Sequence, residues 1–340
     1  MDSLTQIVLG AAIGEAILGK KIGNKALLYG AIAGTIPDLD VILGNLTDTI
    51  TAIEWHRGFS HSLLFSVLLA PILGWLVNKF ECKPELGWVP WTKLFFLGLF
   101  THPLLDVFTS WGTQLFWPFK TRLALNSIFV IDPLYTLPFL ILTVMVLFYK
   151  RQSKIRSRLN TIGLLISTLY LLLTLVIKYV VEKRFESALQ DQNIAYTQIS
   201  TRPSPLNTIL WNANIDTPEN YLVADYSFFD SQPIRFRSYP KQRNTSSEFL
   251  KFPNIKRLIS ISEGWYIIEQ REGNWYFNDL RFGLITRREG ESFFVFSYRL
   301  EMDNNKIKAT EVQKIGNDAS FLMKTLWERI KGNYSLVDTQ

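Results

Sequence analysis

The sequence predicts a multi-pass α-helical membrane domain at residues 1–181 followed by a β-rich soluble domain at residues 182–340, an α+β chain overall. Three observations carry this. Long apolar runs broken by short charged links fill the first half. Lysine and arginine concentrate in alternate links, as expected on the cytoplasmic side of a membrane. Beyond about residue 181, apolar and polar residues alternate in short runs rich in tyrosine and phenylalanine, the pattern of half-buried strands. The overall hydrophobic content of 48% would suit a soluble protein, so the average conceals the two halves.

Apolar segments recur at 3–18, 26–43, 61–77, 93–109, 128–149 and 158–181. The last two approach the ~20 residues that a spanning helix needs. The earlier ones are shorter and carry acids or histidines; they are read as spans, with re-entrant or interfacial placement as the alternative. The first segment has no basic residues ahead of its apolar stretch, so it is read as a retained helix and not a cleaved signal. Lys20, Lys21 and Lys25 follow it, Lys79, Lys83 and Lys93 flank the third link, and Lys150, Arg151, Lys154, Arg156 and Arg158 crowd the fifth. The other two links hold only Arg57, Lys120 and Arg122. A six-span path in a bacterial-type inner or plasma membrane satisfies this, with both termini, and hence the β-rich domain, outside the cytoplasm.

The single cysteine, Cys82, excludes an intrachain disulfide and a thiolate metal site, so any metal must sit on oxygen and nitrogen. The net charge of +6 does not indicate nucleic acid, because the basic residues of the first half fall in the links; membrane lipid is the expected partner. In the second half YLVADYSFFD, IRFRSYP, GWYIIEQREGNWYF and GESFFVFSYRL read as strands. Glu272 to Asn274 and Arg288 to Glu291 read as hairpin turns, and Asp303 to Lys306 as the start of a connection to a final helix, SFLMKTLWERI.

All three histidines lie in the first half, each near acids: Asp38 and Asp40 in PDLD, His56 and His61 in HRGFSH, His102 and Asp106 in HPLLD, and Asp132 in IDP. His102 and Asp106 are four apart and share a helix face, a spacing from which imidazole and carboxylate can chelate one ion. On the alternating path derived from the lysines, all four clusters fall at non-cytoplasmic ends, so sequence-distant groups converge on one side. Asp38, Asp40, His56, His61, His102 and Asp106 are therefore the candidate metal ligands. Arg57 is a candidate for binding an anionic substrate group, and Asp132 for a ligand, an orienting partner or a base. Each has a plainer reading: Asp38 and Asp40 fit a helix stop, His56 an exposed loop residue, Asp132 a helix cap. Ser60 and Ser62 lack the G-x-S-x-G setting of a serine nucleophile. Glu15 lies toward the opposite end, as a snorkelling or packing carboxylate.

MDSLTQIVLGAAIGEA, GxxPDLD, HRGFSHS and THPLLDVFTSWGT, in that order, resemble the YdjM-like inner-membrane proteins, described as metal-dependent hydrolases. The resemblance covers most of the first half and implies a membrane-bound hydrolase. His102 to Asp106 also bears a more distant likeness to the His-x-x-x-Asp helix of the zinc-dependent phospholipase C group. Some relatives carry Thr-His where this chain has Thr5-Gln6, which points to a mono- or dinuclear site and not a three-metal one.

The expected function is a hydrolase using one or two divalent ions, zinc by ligand type with manganese or iron as alternatives, on a phosphoester or amphiphilic, lipid-like substrate at the outer membrane face. An ion or metal transporter, or a metal-braced scaffold without catalysis, are the rival readings.

Overall fold

The computed structural model describes residues 1–81, 85–242, 247–286, 292–303, 306–312 and 319–334. Its contacts divide the chain into two compact units: Met1–Thr47, Glu54–Ile177 and Pro205–Asn207 form one, and Asp48–Ile53, Lys178–Ser204 and Thr208–Gln340 the other.

The first unit is helical. Helix α1 (Ser3–Ile22) pairs with α2 (Asn24–Thr35) through facing small residues. A β-carbon at Gly10 would strike the Gly30 carbonyl, and one at Gly14 the Ala26 carbonyl. Glycines four apart on both helices thus allow the backbones to touch, the small-residue packing typical of membrane helices. A 3₁₀ turn (Ile36–Leu39) and the short α3 (Asp40–Gly44) extend α2. Beyond α4 (Thr49–Trp55) come α5 (Leu63–Glu81), α6 (Trp88–Asp106), α7 (Pro133–Val146) and the long α8 (Lys154–Asp191).

Three stretches among the described residues are long and apolar enough to cross a membrane: Asn24–Gly44, Leu63–Glu81 and Lys154–Asp191; Pro133–Val146 is apolar but shorter. Half of the six expected spans therefore meet the criterion on their own. The shortfall at α1 and α6 has a physical reason. These helices bury much of their surface against neighbours, so they carry polar groups such as Gln6, Glu15, His102 and Asp106 inside the unit. Apolar side chains that α5, α7 and α8 leave exposed, among them Leu68, Ile72, Ile141, Leu165, Leu169 and Leu172, form the surface that lipid would cover. Glu15, expected as a snorkelling or packing group, is buried and paired in both arms with Arg156 of α8, at 2.7 and 2.6 Å.

In the second unit two four-stranded antiparallel sheets form, ordered β1 (Gln198–Pro203), β2 (Leu210–Asp216), β3 (Asn220–Ser227), β4 (Arg237–Pro240), and β5 (Tyr266–Arg271), β6 (Asn274–Thr286), β7 (Ser292–Asp303), β8 (Lys306–Glu311). Tyr221, Trp265, Ile267, Leu280 and Phe294 make one core cluster drawing on both sheets. The turn at Glu272 and Gly273, both at positive φ, closes the β5–β6 hairpin with Arg271 opposite Asn274, as expected. The expected turn at Arg288 to Glu291 lies outside the described residues, as do Cys82, Lys83, Asn304 and Asn305. The 303–306 region joins β7 to β8, so a further strand precedes the final helix α10 (Ala319–Ile330). Helix α9 (Pro253–Ile261) was not anticipated; its Ile255 and Leu258 pack with Ile50 of α4, which explains why Asp48–Ile53 belongs to this unit. The expected boundary at 181 falls within α8, whose end is charged yet made of good helix formers, with Lys183 and Glu186 paired at 2.6 Å.

Candidate metal centre

Pro37 sits in the first turn of the 3₁₀ segment that follows α2, and this tighter turn sets the directions of the two aspartates that flank Leu39. Asp38 Oδ1 stands 3.3 Å from His61 Nε2 and 3.3 Å from His102 Nε2. Asp40 turns to the other side of the His61 ring, with Oδ2 3.3 Å from Nδ1. His61 ends a 3₁₀ turn (Phe59–His61) just ahead of α5, and His102 and Asp106 occupy the last turn of α6. Donor atoms of Asp38, His61 and His102 all lie within 4.8 Å of one another.

Hydrogen bonding on the far side of each ring fixes which nitrogen faces this group. His102 Nδ1 lies 2.6 Å from the Gly34 carbonyl, which can only accept, so Nδ1 carries the proton and Nε2 the lone pair. Ser60 donates its hydroxyl to Asp40 Oδ2 at 2.7 Å. With that proton committed, the 2.9 Å contact between Ser60 Oγ and His61 Nδ1 is a bond donated by the ring, and His61 Nε2 is the nitrogen that faces the group. The two Nε2 atoms are 3.1 Å apart. Two imidazole nitrogens aimed at each other beside carboxylate oxygens need a cation or a shared proton between them, and orientation of each ring by a second acceptor is the usual setting of metal-binding histidines.

Asp106 adds a fourth candidate donor. Its Oδ1 takes the Met1 α-amino group and the Gln6 side-chain amide, the latter at 3.1 Å. Its Oδ2 is buried and accepts no hydrogen bond, 3.5 Å from His61 Nε2 and 3.7 Å from His102 Nε2. The positive partner that such a buried oxygen requires is Arg57, whose Nε stands 3.2 Å from it. Of these four side chains, only that of Asp38 reaches solvent, at 21% exposure.

The remaining expected residues take other places. Arg57 was expected to meet an anionic substrate group, but it is buried, with Nε 3.2 Å from Asp106 Oδ2 and Nη1 donating to Thr109 Oγ1 at 2.9 Å. Its φ of +60° aims the side chain inward while its backbone N–H donates to Asp40. The half-exposed His56 pairs through Nδ1 with Asp40 Oδ1 at 3.0 Å. Asp132 caps α7, accepting from the amides of Leu134 and Tyr135 and from the Tyr170 hydroxyl; its partners are not the imidazoles. Ser60, the Gly34 carbonyl, Gln6 and Thr109 are the contributors that the sequence did not mark as part of the centre. Two of them had a visible signal: Ser60 by its position next to His61, and Gln6 by standing where some relatives carry histidine.

A family model described as YdjM inner membrane protein matches residues 1–181, which contain every side chain of this centre. The chain belongs to the YdjM inner membrane protein family. Among relatives, it is 31% identical over 145 residues to YfhP of Bacillus subtilis, covering 39% of this chain and 42% of that protein. It is 28% identical over 116 residues to the inner membrane protein YbcI of Escherichia coli, covering 34% of this chain and 64% of that protein. The chain thus spans less than two thirds of either relative. No solved structure matches it. The YdjM match, with the apolar helices, makes this an integral membrane protein with a His/Asp cluster able to hold a metal ion. The likeness to zinc-dependent phospholipase C rests on the His102 to Asp106 spacing alone.

Proposed function

We propose that this YdjM-family protein is a membrane-bound metal-dependent hydrolase acting on a phosphoester or amphiphilic, lipid-like substrate at the outer membrane face. The observation that carries the reading is the convergence of the His61 and His102 Nε2 atoms and the Asp38 and Asp106 carboxylates, with both Nδ1 atoms bonded away from the centre. Asp38, His61, His102 and Asp106 would hold a divalent ion; mixed imidazole and carboxylate donors suit zinc, with manganese or iron as alternatives. Such an ion, when bound, acidifies water and polarises a phosphoryl or carbonyl oxygen. The protein's own residues do the rest. Gly34, Ser60 and Asp40 lock the imidazole tautomers, Arg57 offsets the charge of Asp106, and Asp38 stands at the side from which water and substrate arrive. The β-rich domain, extracytoplasmic in this reading, would lie on the substrate's side.

The test is metal analysis of the purified full chain with phosphodiesterase and phospholipase assays, with and without chelator. Hydrolysis that vanishes with chelator and with His102→Ala supports the reading. Bound metal with no hydrolysis of any of these substrates overturns it in favour of a metal that braces the helices, the reading favoured by the burial of His61, His102 and Asp106.

A further inference from the structure

At the end of the helical unit away from Asp38, the α1–α2 turn and the α7–α8 link flank an open surface depression of about 600 Å³. Gly23 and Asn24 form one wall, and Lys150, Arg151 and Gln152 the other, with Arg156 at its base. The walls are held together. Arg151 Nη1 donates to the Lys21 carbonyl at 3.2 Å, Gln152 to the Lys20 carbonyl at 3.1 Å, and Asn24 to the Leu147 carbonyl at 3.2 Å.

The electrostatics of this site are one-signed. Among the described residues no acidic one lines it. Arg156 is neutralised from behind by Glu15 and spends Nη1 on Asn24 and the Tyr149 carbonyl. Among the described residues neither Lys150 nor Arg151 has an acidic partner, so the site carries two uncompensated positive charges. Helix α8 begins at Lys154, which adds the positive end of a helix dipole nearby. Directly next to these charges the surface is apolar: Phe148 is 81% exposed and Ile155 50%, followed along α8 by the exposed Ile162 and Leu165.

We propose that this site binds one anionic phospholipid, its phosphate headgroup between Lys150 and Arg151 and its acyl chains along Phe148, Ile155 and the outer face of α8. Charge selects the headgroup, since a choline cation would meet two like charges. The adjoining apolar surface selects a lipid over a free phosphate, because a soluble anion gains nothing from Phe148. Attraction of basic residues to anionic lipid is common at membrane surfaces; here the walls define a particular place for it, and this separates the proposal from diffuse surface charge.

The experiment uses the full chain in detergent, titrated with phosphatidylglycerol, phosphatidylcholine or glycerol 3-phosphate and read by native mass spectrometry. Phosphatidylglycerol should bind in preference, and K150Q/R151Q should weaken it by about thirtyfold, as expected for two surface charges. K154Q/R158Q, which removes the same charge outside the lining, should change it by less than about threefold. Because Arg151 also bonds the Lys21 carbonyl, K150Q alone serves if the double variant melts early; among the described residues Lys150 has no side-chain bond to lose. Equal weakening by both pairs would mean diffuse attraction and overturn the site. Phosphatidylcholine binding as tightly as phosphatidylglycerol would also overturn it. Glycerol 3-phosphate competing at the same concentration as the lipid would replace the lipid assignment with a soluble-anion site.

Discussion

His61 and His102 present Nε2 to Nε2 at 3.1 Å, although 41 residues separate them and each ring donates its other N–H outward. This arrangement is stable when a cation or a shared proton lies between the rings. Replacing His102 by alanine removes one donor from the group that Asp38, His61 and Asp106 complete. Bound metal, measured by elemental analysis of the purified protein, should fall at least about tenfold, because loss of an inner ligand exceeds the tenfold to hundredfold typical of outer partners. Unchanged stoichiometry in folded His61→Ala and His102→Ala proteins would remove the metal assignment.

Ser60 relays between His61 Nδ1 and Asp40 Oδ2, so it fixes a tautomer without touching the centre. Ser60→Ala should keep all four donors yet weaken metal about tenfold, seen by competition with a calibrated chelator. Ser60→Thr, which keeps the hydroxyl, should restore most of the affinity. Equal affinity in the alanine variant would show that Asp40, 3.3 Å from the same nitrogen, holds the ring unaided.

Much of this centre was legible in the sequence, because the His102 and Asp106 spacing is a consequence of helical geometry alone. The division of labour between Asp38 and Asp40 was not. In an ordinary helix two residues apart point about 200° away from one another, but the sequence does not reveal that the intervening imidazole is His61, addressed on both its nitrogens. Arg57 was misplaced for a similar reason. A loop arginine between polar neighbours suggests solvent, and only its left-handed backbone sends the guanidinium into the unit. In the second unit β1 and β2 were missed because Pro203, Asn212 and Asn214 interrupt the strand signal, whereas the Gly273 turn announced its hairpin.

Asp48, just ahead of α4, gives a pH test. It accepts from the Ile50 and Thr51 amides and from the Thr51 hydroxyl, and these bonds hold its carboxyl below the ordinary aspartate value of 3.8. A depressed folded value means that the contribution is complete above 3.8 and disappears as pH falls through the lower folded value. Asp48→Ala should therefore melt earlier at neutral pH, by the ~1 kcal/mol usual for an N-cap. The gap between variant and wild type should close in strong acid. A gap that persists at the lowest accessible pH would assign the effect to something other than the carboxylate.

The Glu15 and Arg156 pair offers a test of buried charge. Both are almost wholly buried and bonded in two arms, and Arg156 also holds Asn24 and the Tyr149 carbonyl. Removing one partner strands the other, at a cost of about 3–5 kcal/mol. Glu15→Gln and Arg156→Met should each lower the melting temperature in detergent sharply, and the double variant should recover part of the loss. Additive losses would mean that the ion pair itself contributes little beyond packing.

Arg57 and Asp106 connect stability to metal binding. In the metal-free protein Arg57 Nε, 3.2 Å from Asp106 Oδ2, supplies positive charge to an oxygen that has no hydrogen bond. Arg57→Ala withdraws that charge while the Met1 α-amino group still serves Oδ1. A divalent ion bound by Oδ2 would replace what the arginine supplied, so metal should raise the melting temperature of Arg57→Ala by more than it raises that of wild type. The thermodynamic reason is linkage: a ligand stabilises the folded state by an amount that grows with the logarithm of its affinity, and affinity rises when a competing positive charge leaves the site. Arg57→Lys should fall between the two, since an ammonium keeps the charge but not the guanidinium's bond to Thr109. The measurement is thermal unfolding at several zinc concentrations for wild type and both variants. Identical metal-induced shifts in all three would place Asp106 outside the ligand set and leave Asp38, His61 and His102 as the whole of the centre.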